Sequence, residues 1–432
     1  MGGWGGRSAY QELLKLSHTK PSPTLSRRKQ MVIGIGLSLV SICFVLFLLE
    51  LGVRLLPPPD EAATGQLFAC QPALGWTGRP NFAGEFENDI FQQTLQFNSL
   101  GMHDTEHSPT KPADTFRILM LGDSFVHAVQ VDEAATAHQL VEDKLNQMEL
   151  PTGDSVEVIS GGVTNWGTNQ QLIFYREQGR QLAPDVVLLM VYLGNDLLDN
   201  LPGNVLTIDG VNCYAPYFAV CGDALNPDPL PYAPGLSASP HDCSAGKRTI
   251  TTLLGRLYQY SRLYQQIEPL IVASKPRRQF GQEYDSPFSA LYLPNDEVEL
   301  EEAWQVTLAT ITQLRDEVEA DGSHFAVALI SPEIAVRLAT LSPAEQQIFL
   351  RDNPTFAEAQ ADRPNVRLAH FFDEQAIPFL DLTPPMVEHL RTDGTPLYIT
   401  GEWHWTEEGN RVAAEALAAW LEETAFQVSR KR

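Results

Sequence analysis

The sequence predicts an α/β domain built on a parallel sheet and tethered by one N-terminal transmembrane helix. Three observations predict it: an uncharged apolar run at residues 31–49, short apolar runs alternating with helix-like stretches from residue 116 onward, and small polar loops closing three of those runs. Of the 432 residues, 44% are hydrophobic and 19% charged, which suits one large globular domain or two small ones and excludes a disordered chain.

The run MVIGIGLSLVSICFVLFLL at 31–49 is long enough for a helix to cross a hydrocarbon core of roughly 30 Å. Residues 1–29 carry Arg7, Lys15, Lys20, Arg27, Arg28 and Lys29 against Glu12 alone, whereas the next basic residue after Arg54 is Arg79. The positive-inside bias therefore puts residues 1–30 in the cytoplasm and the chain beyond Pro57 outside it. A cleaved signal peptide is the competing reading, but its apolar core would be shorter and a small-x-small site would follow. Here Glu50, Leu51, Gly52, Val53 and Arg54 follow, with Glu50 and Arg54 spaced to pair on one helix face. The organisation expected is a cytoplasmic segment 1–30, a transmembrane helix 31–56, a linker 57–65 opened by Pro57, Pro58 and Pro59, and a domain at 66–425.

Charge is unevenly placed. Of 30 basic and 54 acidic residues, seven and two lie in residues 1–56, which leaves 23 against 52 in the exported part. A domain so acidic offers no cationic surface for phosphates, and nucleic acid is excluded as a partner. Cys43 lies inside the membrane run, while Cys70, Cys213, Cys221 and Cys243 fall where disulfides are permitted. The short loop between Cys213 and Cys221 is the easiest to close, so the expected pairs are Cys213–Cys221 and Cys70–Cys243.

Residues 66–115 read as short strands and loops. The regular pattern then runs through FRILMLG, a helix-like stretch at 134–148, SVEVIS, a second at 169–181, and DVVLLMVYL. Residues 201–295, dense in Pro, Gly, Tyr and Asp, interrupt it as an insertion with one helix expected over 253–272. It resumes with a helix at 296–320, HFAVALIS, mixed helical segments at 342–375, IPFLDL, and a closing amphipathic helix at 407–423.

In a parallel sheet the carboxyl ends of strands carry ligand sites. The first run ends in Gly122-Asp123-Ser124, which places a hydroxyl there. The second leads into Gly161-Gly162-Val163-Thr164-Asn165. The third ends in Gly194-Asn195-Asp196, whose Asn195 amide can donate to a developing oxyanion. Each alone is ordinary turn or N-cap chemistry; three together exceed it. Glu402-Trp403-His404, just before the closing helix, adds a histidine able to act as base for Ser124, with Glu402 able to orient its imidazole and Asp393 as a rival acid. His103, His107, His127, His138, His241, His324, His370 and His389 lack such a frame and are read as structural. No ligand set for a metal is evident.

These blocks, with the Asn98-Ser99-Leu100-Gly101 lead-in and the ending EWHWTEEG, resemble those of the SGNH (GDSL-like) hydrolases over roughly residues 95–425, and look most like an envelope-anchored branch associated with polysaccharide acyl chemistry. The resemblance implies a three-layer αβα domain of flavodoxin-like type that cleaves acyl esters without a cofactor. It assigns Ser124 as nucleophile, His404 as base, and Asn195 with the backbone N–H of Ser124 as oxyanion donors. Asn165 stands where the family has glycine, with its backbone N–H as a third oxyanion donor, and Glu402 stands where the family has aspartate. The function expected is a membrane-anchored esterase acting on acylated glycans or lipids. An acyltransferase on envelope polysaccharide, and an inactive envelope scaffold or glycan-binding protein on the same fold, are the alternatives.

Overall fold

The computed structural model describes residues 26–56, 66–148, 155–222, 224–232, 234, 239–241, 243–272, 291–292, 298–352 and 362–429. It divides into two compact units, Met1–Pro57 and Pro58–Arg432. In the first, a helix spans Arg27–Arg54, long and apolar enough to cross a membrane, with no residue buried against protein. The expected pair forms on it, Arg54 Nε donating to Glu50 at 2.7 Å. The linker 57–65 lies outside the described residues.

In the second unit five parallel strands form the sheet: β1 (Thr115–Gly122), β2 (Ser155–Gly162), β3 (Val186–Tyr192), β4 (His324–Ile330) and β5 (Phe379–Asp381), in the order β2-β1-β3-β4-β5. This is the flavodoxin-like order, whose reversal point lies between β1 and β3. Alternate side chains of one strand enter different cores, as a period of two requires. Leu119, Leu121, Val187, Leu189 and Val191 pack with helices α2 (Thr168–Glu177), α3 (Val298–Ala320) and α4 (Arg363–Gln375). Ile118, Met120, Leu188 and Met190 pack with α1 (Ala137–Gln147), α5 (Thr383–Thr392) and α6 (Glu407–Ser429). The sheet is therefore covered on both faces, which is why its strands read as continuous apolar runs.

Before β1, Phe68–Gln71 pairs with Gly75–Gly78 and Ala83–Glu87 with Gln92–Gln96, both antiparallel. The Asn98 side chain accepts from the N–H groups of Leu100 and Met102, each at 3.0 Å. That turn requires Gly101: its φ is 82°, and a Cβ there would stand 2.1 Å from the Gly78 carbonyl oxygen.

The insertion corrects two expectations. The single helix expected over 253–272 is two, Ala245–Tyr260 and Arg262–Val272, broken at Ser261. The disulfides are Cys70–Cys213 and Cys221–Cys243, with Cα separations of 5.6 and 5.8 Å, in place of Cys213–Cys221 and Cys70–Cys243. Loop-closure entropy grows only logarithmically with length, so packing decides the pairing. Cys213 lies on a strand, Val211–Tyr214, that packs against the first hairpin so closely that a Cβ on Gly75 would stand 2.7 Å from the Tyr214 carbonyl oxygen.

Candidate active site

Strand β1 delivers Ser124 through a tight elbow. Gly122 and Gly162 are register partners at the ends of β1 and β2, and the one-turn helix Ser124–His127 sits over both. A Cβ on Gly122 would lie 2.3 Å from Val126 Cγ2, and one on Gly162 2.5 Å from Val126 Cβ. Asp123 caps that turn, accepting from the N–H of Phe125 at 2.9 Å, and its other oxygen lies 3.3 Å from Ser124 Oγ.

Ser124 Oγ is 2.6 Å from His404 Nε2, across 280 residues of chain. His404 sits at the base of a short antiparallel turn closed by the Tyr398–Trp405 bridge, in which Ile399 N–H donates to the His404 carbonyl at 2.9 Å and Gly401 adopts φ 82°. Tyr398 ties the turn to the end of β4 by donating to the Ser331 carbonyl at 2.8 Å; Gln130 donates to the Trp405 carbonyl at 3.2 Å. Phe125 packs beneath the imidazole, with ring centroids 5.2 Å apart.

Glu402 engages His404 twice. One carboxylate oxygen accepts from Nδ1 and the other from the His404 backbone N–H at 3.1 Å. Burial opposes the Glu402 charge, but the hydrogen bond and charge of His404 outweigh it and hold the carboxyl below its ordinary value. Asp393 lies elsewhere: it accepts from the Thr395 N–H at 3.1 Å and faces His389 at 3.7 Å. His389, Asp393 and Glu408 are the one group among the described residues whose ligand atoms lie within 4.8 Å of each other; Glu408 is also paired with Arg411.

Asn165 and Asn195 leave β2 and β3 at the same sheet edge as Ser124. Asn165 adopts φ 62°, the left-handed region that asparagine tolerates better than most residues, and its carbonyl accepts from Asn204 at 3.1 Å. Asn195 donates one N–H to Asp199 at 2.7 Å, which leaves the second N–H of the same amide for another acceptor. Asp123 and Asp196 are fully buried around this edge, and Asp199 is half-buried beside them. Burial, and for Asp196 and Asp199 the neighbouring Asp123, push their carboxyls up, so charge that would repel a developing oxyanion is disfavoured. Nothing in the sequence marked Asp123 and Asp196 as buried; only the i,i+4 spacing of Asn195 and Asp199 hinted at their contact.

Behind the nucleophile turn, His103 Nδ1 donates to the His127 carbonyl at 3.1 Å. Burial chiefly, and the charge of His138, lower the His103 imidazole to about 4. The unfolded chain, with a value near 6.5, binds a proton the folded chain refuses between those pH values. Stability is therefore full above about pH 6.5 and falls toward pH 4, by on the order of 3 kcal/mol from this residue. Denaturant midpoints of the purified chain should fall over that window, and fall less in His103→Gln, which keeps a donor for the carbonyl. An unchanged slope in the variant would assign the acid sensitivity to other groups.

Residues 291–432 match the family model described as the SGNH hydrolase-like domain of acetyltransferase AlgX. The match takes in Glu402 and His404, and the recognition of an SGNH-type chain is borne out. No curated protein matches the chain. Among solved structures, a GDSL-like lipase from Bacteroides thetaiotaomicron is similar at 11% identity over 75% of this chain and 93% of its own, with a TM-score of 0.33. A lipase/acylhydrolase from Enterococcus faecalis follows at 11% identity over 71% and 96%, TM-score 0.34. A catalytic mutant of an acetylxylan esterase from Geobacillus stearothermophilus gives 10% over 71% and 94%, TM-score 0.35. At such identities and TM-scores these likenesses transfer no residue role or substrate.

Proposed function

We propose that this SGNH hydrolase-like chain is a membrane-anchored serine esterase that works through an acyl-enzyme. The observation that carries the reading is the continuous relay Glu402–His404–Ser124, with Nε2 2.6 Å from Oγ and Nδ1 on the carboxylate. In the first half-reaction Ser124 Oγ forms a bond to the acyl carbon while His404 Nε2 takes the serine proton; the ester C–O bond then breaks and His404 returns that proton to the leaving oxygen. In the second, water adds to the acyl carbon as His404 Nε2 takes its proton; the bond from the acyl carbon to Ser124 Oγ then breaks, and His404 returns the proton to Oγ, releasing the acid and free Ser124. Glu402 fixes the tautomer that leaves Nε2 able to accept. The Ser124 N–H, the free N–H of Asn195 and the Asn165 backbone N–H are the oxyanion donors in this reading. No step requires a metal or cofactor.

Asn195→Ala removes one such donor and should cost about 10²- to 10³-fold in turnover with stability retained. Steady-state kinetics on an activated ester, alongside a melting curve, checks this; unchanged turnover would take Asn195 out of the site.

The match of 291–432 to a model named for an acetyltransferase favours a second reading, in which a glycan hydroxyl replaces water in the second half-reaction. The acyl-enzyme is common to both. Partition of a labelled acetyl group between water and an added oligosaccharide separates them: label appearing only as acetate supports hydrolysis, and label on sugar supports transfer.

The anchor reading places the N-terminus in the cytoplasm and the catalytic unit outside, acting on acylated glycans or lipids there. A reporter fused after Pro59 should be active only outside the cytoplasm, and the chain should stay with membranes through a carbonate wash. A soluble form beginning near residue 57 would mean a cleaved signal.

A further inference from the structure

Helix Ala245–Tyr260 carries an apolar stripe on its outer side. Ile250, Leu253, Leu257 and Tyr260 are 58, 68, 54 and 64% exposed. At 100° per residue these four fall within an arc of about 80°. Thr251, Gly255 and Tyr258 are buried on the opposite side, against the domain. The helix is thus amphipathic on both counts: one face packs on the domain and the other presents leucine, isoleucine and tyrosine to the surroundings.

Its charge is as unusual as its exposure. The exported chain holds more than twice as many acidic as basic residues, yet residues 245–262 contain Lys247, Arg248, Arg256 and Arg262 and no Asp or Glu. On the helical projection, Lys247 and Arg256 flank the apolar stripe on its two sides. An apolar stripe bordered by cations is the pattern of a helix lying in a lipid interface, its apolar side in the boundary between headgroups and acyl chains. A protein partner would have to meet this cationic strip within an acidic domain, whereas an anionic headgroup layer matches the strip itself. Eleven residues, 55–65, separate Arg54, the last of the anchor helix, from Gln66, where the described domain begins. At 3.3–3.6 Å per residue that tether spans at most about 40 Å, so the interface is within reach and a modest affinity suffices.

We infer that helix Ala245–Tyr260 docks on the membrane, with Ile250, Leu253, Leu257 and Tyr260 in the interface and Lys247 and Arg256 at anionic headgroups. The inference rests on the anchor reading for its tether. Docking fixes which face of the catalytic unit meets the bilayer, and so which esters can approach Ser124 from the membrane side.

The test uses the full chain with Cys43→Ala and one introduced thiol, Leu253→Cys or Leu257→Cys, labelled with an environment-sensitive fluorophore. The chain is reconstituted in phosphatidylcholine vesicles with and without phosphatidylglycerol, each doped with a lipid-borne quencher. Label at 253 or 257 should blue-shift and be quenched at least about two-fold more than label at Ile348→Cys, an exposed site on another helix, and more with phosphatidylglycerol present. Lys247→Glu with Arg256→Glu should abolish the dependence on phosphatidylglycerol. Equal quenching at 253 and 348, or no quenching at either, overturns the inference, as does a 253–253 crosslinked dimer formed without quenching. Carbonate extraction of the same samples reads the anchor independently: a chain that is extracted fails the anchor reading, whereas a retained chain with an unquenched 253 label fails the docking alone.

Discussion

Ser124→Ala should lower turnover on an activated ester by about 10⁴-fold or more, and His404→Ala by nearly as much, while the double variant should lose little beyond either single one. The two side chains act as one unit because the nucleophile exists only when Nε2 takes its proton. At 2.6 Å, Oγ and Nε2 already stand at the distance that transfer requires. Both residues lie at a sheet edge rather than within the cores, so neither change should unfold the domain. Stopped or steady-state assays with an activated ester, paired with melting curves, separate loss of chemistry from loss of fold. Near-complete activity in Ser124→Ala would end the serine-hydrolase reading.

Glu402→Gln is the second large effect, expected at about 10²- to 10⁴-fold in turnover. Its cause follows from the two-sided contact. One Glu402 oxygen accepts from the His404 backbone N–H, and the other from Nδ1. A glutamine has one oxygen for these two places. The backbone N–H can only donate, so the oxygen goes there and the amide NH₂ turns to Nδ1, which must then accept. The imidazole proton moves to Nε2, facing Ser124 Oγ, and the base is lost. Glu402→Asp keeps two accepting oxygens on a side chain one methylene shorter and should retain part of the activity that glutamine loses. Equal, full activity in both variants would remove Glu402 from the relay.

The sheet was legible because strands buried on both faces become continuous apolar runs, and the loops carrying Ser124, Asn165 and Asn195 follow the ends of those runs. His404 was legible through its place before the closing helix and through Glu402 two residues earlier. The turn that presents it was not: the Tyr398–Trp405 bridge joins residues with no strand-like run between them. Burial of Asp123 and Asp196 was hidden for a related reason, since a polar triplet reads as an exposed turn until packing encloses it. The disulfide pairing is not legible from loop length, because the neighbouring hairpins place Cys213 beside Cys70. The break at Ser261 has no proline or glycine to announce it.

Activation of the Ser124 oxygen by His404 is read most directly by covalent capture. The purified chain is treated with a fluorophosphonate probe, digested and mapped by mass. The account predicts one adduct, on the peptide containing Ser124, formed rapidly in the native chain, absent in Ser124→Ala and slowed by orders of magnitude in His404→Ala. A native chain that takes no label, or an adduct whose rate is unchanged in His404→Ala, would contradict it.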